Sequence, residues 1–178
     1  EQARPERKTQ NRIIDLFTNT SHPDCLGYEY LGEWQKKENN RCVEKDLLKK
    51  NLKKRGYSEL AISASIQKLF LAVDVTGTTL YQSNLNVYQY LRYGISVQTA
   101  VGKKNEQVHL IDWSNYEKND FALAEEVTLR GGYERRPDIV LYINGIAISV
   151  IELKRSSVDV ADGIRQLRTN QEKIFNES

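Results

Sequence analysis

An α/β domain, helical in its first half and strand-rich in its second, is the fold class that this sequence predicts. Three observations carry it. Between residues 43 and 93 apolar side chains recur three and four positions apart, the period of a helix with one buried face. From residue 108 onward they alternate with polar ones, the period of a strand. The dipeptide Asn144-Gly145 then joins two β-rich runs, which is a hairpin signal. The expected arrangement is a helical part over 1–95 and a sheet-bearing core over 96–178, together one domain with a mixed or antiparallel sheet flanked by helices. At 178 residues the chain suffices for one full domain and is short for two of ordinary size.

The elements follow in order. Ile13, Ile14, Leu16 and Phe17 give a short apolar face after a charged N-terminal stretch. Residues 19–40 hold turn formers and aromatics, including His22-Pro23-Asp24, Gly27, Gly32 and Trp34, and read as a packed loop. A helix over 43–55 buries Leu47, Leu48 and Leu52, gathers lysines towards its end and stops at Gly56, as the macrodipole and a glycine cap favour. Ser58 caps a third helix with Ile62, Ile66, Leu69 and Val73 inward. A fourth, over 80–93, points Tyr81, Leu85, Tyr88 and Leu91 inward and ends at Gly94. Strands are expected over 108–113, 121–130, 138–143 and 146–154, and a last helix over 158–175 presents Ile164, Leu167 and Ile174 to the sheet.

Composition narrows the class of protein. Hydrophobic residues at 39% and charged residues at 28% fit a folded rather than a disordered chain. A net charge of +2 means that any affinity for nucleic acid must come from local clusters, not from the overall field. Cys25 and Cys42 are too few for a disulfide scaffold and lack metal-ligand spacing, which suits an intracellular, reducing setting. No apolar run approaches the roughly 20 residues that cross a bilayer, so no membrane partner is expected. The chain opens on Glu1 and has no Met at all, which reads as a fragment of a longer protein.

The chemistry gathers at Arg136-Pro137-Asp138-Ile139-Val140-Leu141-Tyr142-Ile143-Asn144-Gly145 and Val150-Ile151-Glu152-Leu153-Lys154. Ionisable groups at the ends of otherwise apolar strands must be paired or bound to a metal. Glu152 and Lys154, two apart on a strand, share a face with Ile148 and Val150. Asp138 joins that face only if the hairpin takes a bulged loop or carries an equivalent bulge elsewhere. Pairing Ile143 with Ile146 sets Asp138 opposite Ile151, whereas a three-residue loop with Gly145 in a left-handed bulge sets it opposite Val150. Two carboxylates with open water positions suit Mg²⁺, with Mn²⁺ as a substitute. Lys154 would add positive charge against a phosphate. The competing reading is a buried ion pair between Lys154 and a carboxylate, or exposed strand ends.

The spacing resembles the PD-(D/E)XK nuclease signature, and the likeness extends well beyond it. Leu26-Gly27-Tyr28, Leu31-Gly32-Glu33-Trp34, Lys54-Arg55-Gly56-Tyr57-Ser58, Leu110-Ile111-Asp112-Trp113 and Gly163-Ile164-Arg165-Gln166 are similar to the restriction (R) subunit of type I restriction-modification enzymes. The resemblance spans nearly the whole chain. It implies a restriction-endonuclease-like core that cuts double-stranded DNA in bacterial or archaeal cytoplasm. It also implies a longer ATP-driven, translocating subunit that assembles with methylation and specificity subunits. Under it Asp138 and Glu152 are metal ligands and Lys154 is the catalytic lysine. Members often carry Gln-x-x-x-Tyr on the next helix. Here the positions are Gln166, expected in a supporting role, and Asn170, where the Tyr is missing. Such nucleases also use an acid on a helix before the sheet, for which Glu44 is first choice and Glu59 second.

Other charges are weaker signals. Arg135, Arg136, Arg155, Arg165 and Arg168 flank the site in sequence and are candidate phosphate contacts. The run Lys45, Lys49, Lys50, Lys53, Lys54, Arg55 serves equally well as a solvated helix face. Glu125 and Glu126 follow an apolar strand, where metal contact and strand-end solvation explain them equally. Gly102-Lys103-Lys104 lacks the spacing of a phosphate loop, so ATP belongs to the longer subunit. Two rivals remain: a stand-alone nuclease of the same fold, and a DNA-binding or assembly module silent in isolation.

Overall fold

Helix α1 (Pro5–Thr18) opens on a proline, whose missing N–H costs nothing in a first turn that has no partner for it. The computed structural model describes residues 5–74, 76–100, 102, 104–129, 135–153 and 164–165. Its chain folds as two compact units, Glu1–Cys42 with Phe121–Tyr142 and Ala147–Ser178, and Val43–Asp120 with Ile143–Ile146. These units interleave in sequence.

The first unit is α1 and a four-stranded mixed sheet, with order β1 (Glu29–Glu33), β4 (Phe121–Glu125), β5 (Ile139–Ile143), β6 (Ile146–Ile151). β1 lies parallel to β4, with Tyr30 beside Leu123 and Glu33 beside Glu125. The register slips between Tyr30 and Glu33, around Gly32 at φ 104°. A strand thus occupies part of the expected loop over 19–40. The turn formers there mark its borders, and tertiary pairing with β4 supplies what local propensity lacks. β4 and β5 run antiparallel, with Glu126 N donating to the Asp138 carbonyl at 2.9 Å and Leu129 and Arg135 exchanging both main-chain bonds. β4 ends at Glu125 rather than reaching Arg130, because Glu126 turns into the left-handed region at φ 52°.

Trp34, Ala122, Ala124, Val127, Val140 and Tyr142 form the buried cluster of this sheet, with the Trp34 and Tyr142 rings 5.6 Å apart. Phe17 sits edge-on to Tyr28 at 4.8 Å, and Tyr28 meets Phe121 at 5.5 Å, so aromatic contacts tie the end of α1 to the start of β4.

The second unit holds α2 (Lys45–Lys54), α3 (Glu59–Val73), α4 (Leu80–Tyr93), a hairpin of β2 (Ile95–Val97) and β3 (Glu106–Val108), and a 3-10 turn at Tyr116–Lys118. Ser58 caps α3 by accepting from Ala61 N, and Gly56 at φ 88° follows α2, as the sequence indicates. Leu48, Leu52, Ile62, Ile66, Leu69, Ile95, Val97, Val108 and Leu110 make the core. The phase of α4 differs from expectation. Tyr81 and Tyr88 are exposed, while Ser83, Val87 and Tyr90 turn inward, Ser83 Oγ donating to the Ala72 carbonyl at 2.6 Å. Val73 is exposed as well. The expected strand over 108–113 stops at Val108, and Leu110 and Ile111 are buried outside any strand. The Asn144 amide donates to the Leu110 carbonyl there, satisfying a group that a ladder would otherwise take.

Candidate functional site

The hairpin between β5 and β6 sets the geometry. Asn144 (φ 53°) and Gly145 (φ 79°) are both left-handed, the signs of a type I′ two-residue turn. The turn is locked from within. Asn144 is 1% exposed, its Oδ1 accepts from Asp120 N at 2.7 Å, and its amide donates to Leu110 O and Asn119 Oδ1, each at 2.9 Å. A Cβ at position 145 would come within 2.6 Å of the Leu47 Cβ, so glycine is required. The expected three-residue bulged loop is therefore corrected to a two-residue turn, although Gly145 does take the expected positive φ.

Strict counting from this turn would set Asp138 opposite Ile151, on the face away from Glu152. The ladder of β6, however, ends at Ile151, and Asp138 Oδ2 accepts from Leu153 N at 2.6 Å. The carboxylate is thus bonded to the peptide that links Glu152 to Leu153. Asp138 and Glu152 are both half-buried. Lys154, Arg155, Gln166, Arg168 and Asn170 lie outside the described residues, and Arg165 is described only as exposed.

Glu125 is 4% exposed, so strand-end solvation does not apply to it. Its Oε2 accepts from Arg7 Nη1 at 2.6 Å and Gln10 Nε2 at 2.9 Å, and its Oε1 accepts from Arg7 Nη2 at 3.3 Å and Tyr30 Oη at 2.5 Å. Three elements, α1, β1 and β4, therefore meet on one carboxylate. Burial, with the hydrogen bond to Glu125 second, pushes the Tyr30 hydroxyl up to about 12. Glu126 pairs with Arg136 Nε at 2.9 Å. The Arg136 guanidinium also reaches the Gln35 side chain once that amide is oriented to accept. With these donors engaged, Glu125 is a buried hydrogen-bonding hub that joins α1, β1 and β4. The sequence does carry a signal for it. Gln10 shares a helical stripe with Ile13, Ile14 and Phe17, and a polar residue in an apolar stripe needs a buried partner.

Residues 4–178 match the family described as the type I restriction enzyme R protein N terminus. The chain belongs to that family. It is 29% identical, over 93% of its own length, to the "Putative type I restriction enzyme MjaIXP endonuclease subunit" of Methanocaldococcus jannaschii, of which it covers 17%. It is 43% identical over 44% of its length to that organism's "Putative type I restriction enzyme MjaVIIP endonuclease subunit", covering 8%. With the type I restriction enzyme HindI endonuclease subunit of Haemophilus influenzae it shares 34% identity over 51% of its length, covering 9%. The chain thus spans less than a fifth of the length of these relatives. Its α/β content, with a four-stranded mixed sheet and four α-helices, is consistent with the restriction-endonuclease-like fold expected of an R protein N terminus.

The donor set of this R protein N terminus fits Mg²⁺ in kind. Asp138 keeps Oδ1 without a hydrogen bond among the described residues, and Glu152 follows on the adjoining peptide. Paired carboxylate oxygens completed by water are what that ion prefers. Among the described residues no three His, Cys, Asp or Glu side chains converge as a metal cluster, so the fit rests on this pair. Glu44 and Glu59 belong to the other, helical unit. Glu44 is the N-cap residue of α2, without a side-chain cap bond. Glu59 pairs with Lys53 at 2.9 Å, which holds its carboxyl below the usual range. In the run from Lys45 to Arg55, Lys54 pairs with Asp120 at 2.8 Å and Arg55 with Asp112 at 3.7 Å, so with Lys53 three of its cations are already paired. Arg135 is half-buried and bonds Leu129 through its main chain. No described helix is long and apolar enough to cross a membrane.

Proposed function

We propose that this chain is the nuclease domain of a type I restriction enzyme R protein and hydrolyses phosphodiester bonds of double-stranded DNA with Mg²⁺, or Mn²⁺ in its place. The observation that carries the reading is the Asp138 carboxylate bonded to Leu153 N, one peptide bond from Glu152. Asp138 and Glu152 would hold the ion, which when bound supplies an activated water and stabilises charge on the phosphate oxygens. The Leu153 N–H holds one Asp138 oxygen, and the other has no hydrogen bond among the described residues. Lys154 places positive charge against the scissile phosphate. Gln166 supports it, and the arginines flanking the hairpin contact backbone phosphates without reading sequence.

The family and its longer relatives support the rest of the assignment. ATP-driven translocation belongs to the complete subunit, and recognition and methylation belong to partner subunits of a restriction-modification complex. Acting on DNA in a bacterium or archaeon puts the protein in the cytoplasm. The test uses the complete R protein with its partner subunits. Asp138→Ala, Glu152→Ala and Lys154→Ala should each abolish cleavage while ATP hydrolysis continues, and their losses should not add because all serve one centre. Wild-type cutting by any one of them removes that residue from the site.

A further inference from the structure

The hub around Glu125 touches the proposed site at one point, the main chain of Asp138. The Gln10 amide nitrogen lies 2.9 Å from Glu125 Oε2, 3.3 Å from Glu126 Oε1 and 3.3 Å from the Asp138 carbonyl oxygen. That carbonyl also accepts from Glu126 N at 2.9 Å. The residue bearing the candidate metal ligand is therefore held at its carbonyl by a side chain of α1 and by the end of β4, and at its carboxylate by Leu153 N. Gln10 is 3% exposed, so its N–H groups have no water to turn to. Its acceptor Glu125 is fixed in turn by Arg7 and Tyr30. An amide suits this place because its two N–H groups serve Glu125 at 2.9 Å and, shared between them, Glu126 and the Asp138 carbonyl at 3.3 Å.

We propose that Gln10 is a positioning residue for Asp138, transmitting the rigidity of the Arg7–Glu125–Tyr30 cluster to the carboxylate that binds the divalent metal. This rests on the reading of Asp138 and Glu152 as the metal pair. Groups that orient a ligand without touching the ion typically change metal affinity or activity about 10- to 100-fold when lost. Gln10 acts through the main chain, so the lower end of that range applies.

The test is made in the complete R protein without nucleotide, with Mn²⁺ binding followed by electron paramagnetic resonance per folded molecule and cleavage followed across a Mn²⁺ series. Gln10→Met keeps the length of the side chain and removes both N–H groups. It should weaken Mn²⁺ binding about tenfold, and saturating Mn²⁺ should restore cleavage. Asp138→Ala should lose the site and not be rescued. Unchanged Mn²⁺ affinity in Gln10→Met, or a cleavage loss that excess Mn²⁺ does not restore, overturns the positioning role alone. Unchanged Mn²⁺ affinity in Asp138→Ala overturns the metal assignment beneath it. Reporting affinity per folded molecule keeps a partly unfolded variant informative.

Discussion

Glu125→Gln is the substitution that best measures what the buried hub contributes. The new side chain has the old shape, but replaces one carboxylate oxygen with an NH₂ group that faces donors. The three donor residues differ in what they can do next. Arg7 has a side chain 40% exposed and Tyr30 is 45% exposed, so both can turn to water. Gln10 at 3% cannot. The cost therefore comes chiefly from the buried Gln10 amide, whose bond to an ionised acceptor is worth about 1.5–3 kcal/mol. One partner of the Arg7 pair adds little, since half-exposed pairs contribute about 1 kcal/mol or less. A loss of about 2–3 kcal/mol follows, which for a chain of this size lowers the melting midpoint by roughly 5–10 °C. Urea and thermal unfolding followed by circular dichroism read both numbers, with Arg7→Ala as the reference expected to lose far less. If Glu125→Gln and Arg7→Ala cost the same, or Glu125→Gln costs under about 1 kcal/mol, the carboxylate is not the hub described.

The raised Tyr30 value predicts a pH effect of definite sign. Its hydroxyl keeps its proton longer in the folded chain, so the stabilisation is present below pH 10.0 and is lost as pH rises towards about 12. Tyrosinate absorbance of the wild type minus that of Tyr30→Phe should show this late titration, and a midpoint near 10.0 would refute it. Asn144→Ala removes three side-chain bonds at a 1% exposed, left-handed position, and should cost about 3 kcal/mol or more. Asn144→Gly should cost less than Asn144→Ala in the same melts, because glycine keeps the backbone conformation; equal losses would remove backbone strain from the account. Gly94→Ala would bring a Cβ within 2.8 Å of the Val108 carbonyl at φ 82°, and should lower stability by about 1–3 kcal/mol. A neutral result in denaturant unfolding would mean that β3 yields at Val108.

The sequence by itself determined the elements whose stability is local. Ser58, Gly56 and Gly94 bound the helices where expected, since caps and positive-φ glycines act through their own turn. Asn144-Gly145 marked the hairpin for the same reason. It also carried the candidate residues Asp138, Glu152 and Lys154, because charged groups at the ends of apolar strands stand out without a fold. Only the tertiary structure decided what depends on partners distant in the chain. β1 exists because β4 lies beside it in parallel, and nothing in residues 29–33 announces that pairing. The burial phase of α4 follows the surface that meets it, so Ser83 replaced the larger Tyr81 and Tyr88 inside. The bond of the Asp138 carboxylate to Leu153 N, past the end of the β6 ladder, is another such contact and could not be counted from the turn. Glu125, which the sequence leaves between metal contact and strand-end solvation, is buried because its donors come from Arg7, Gln10 and Tyr30, roughly a hundred residues away along the chain. Local steric and capping preferences act over a few residues and can be read in order. Burial and the pairing of charge are properties of surfaces that meet only when the chain has folded.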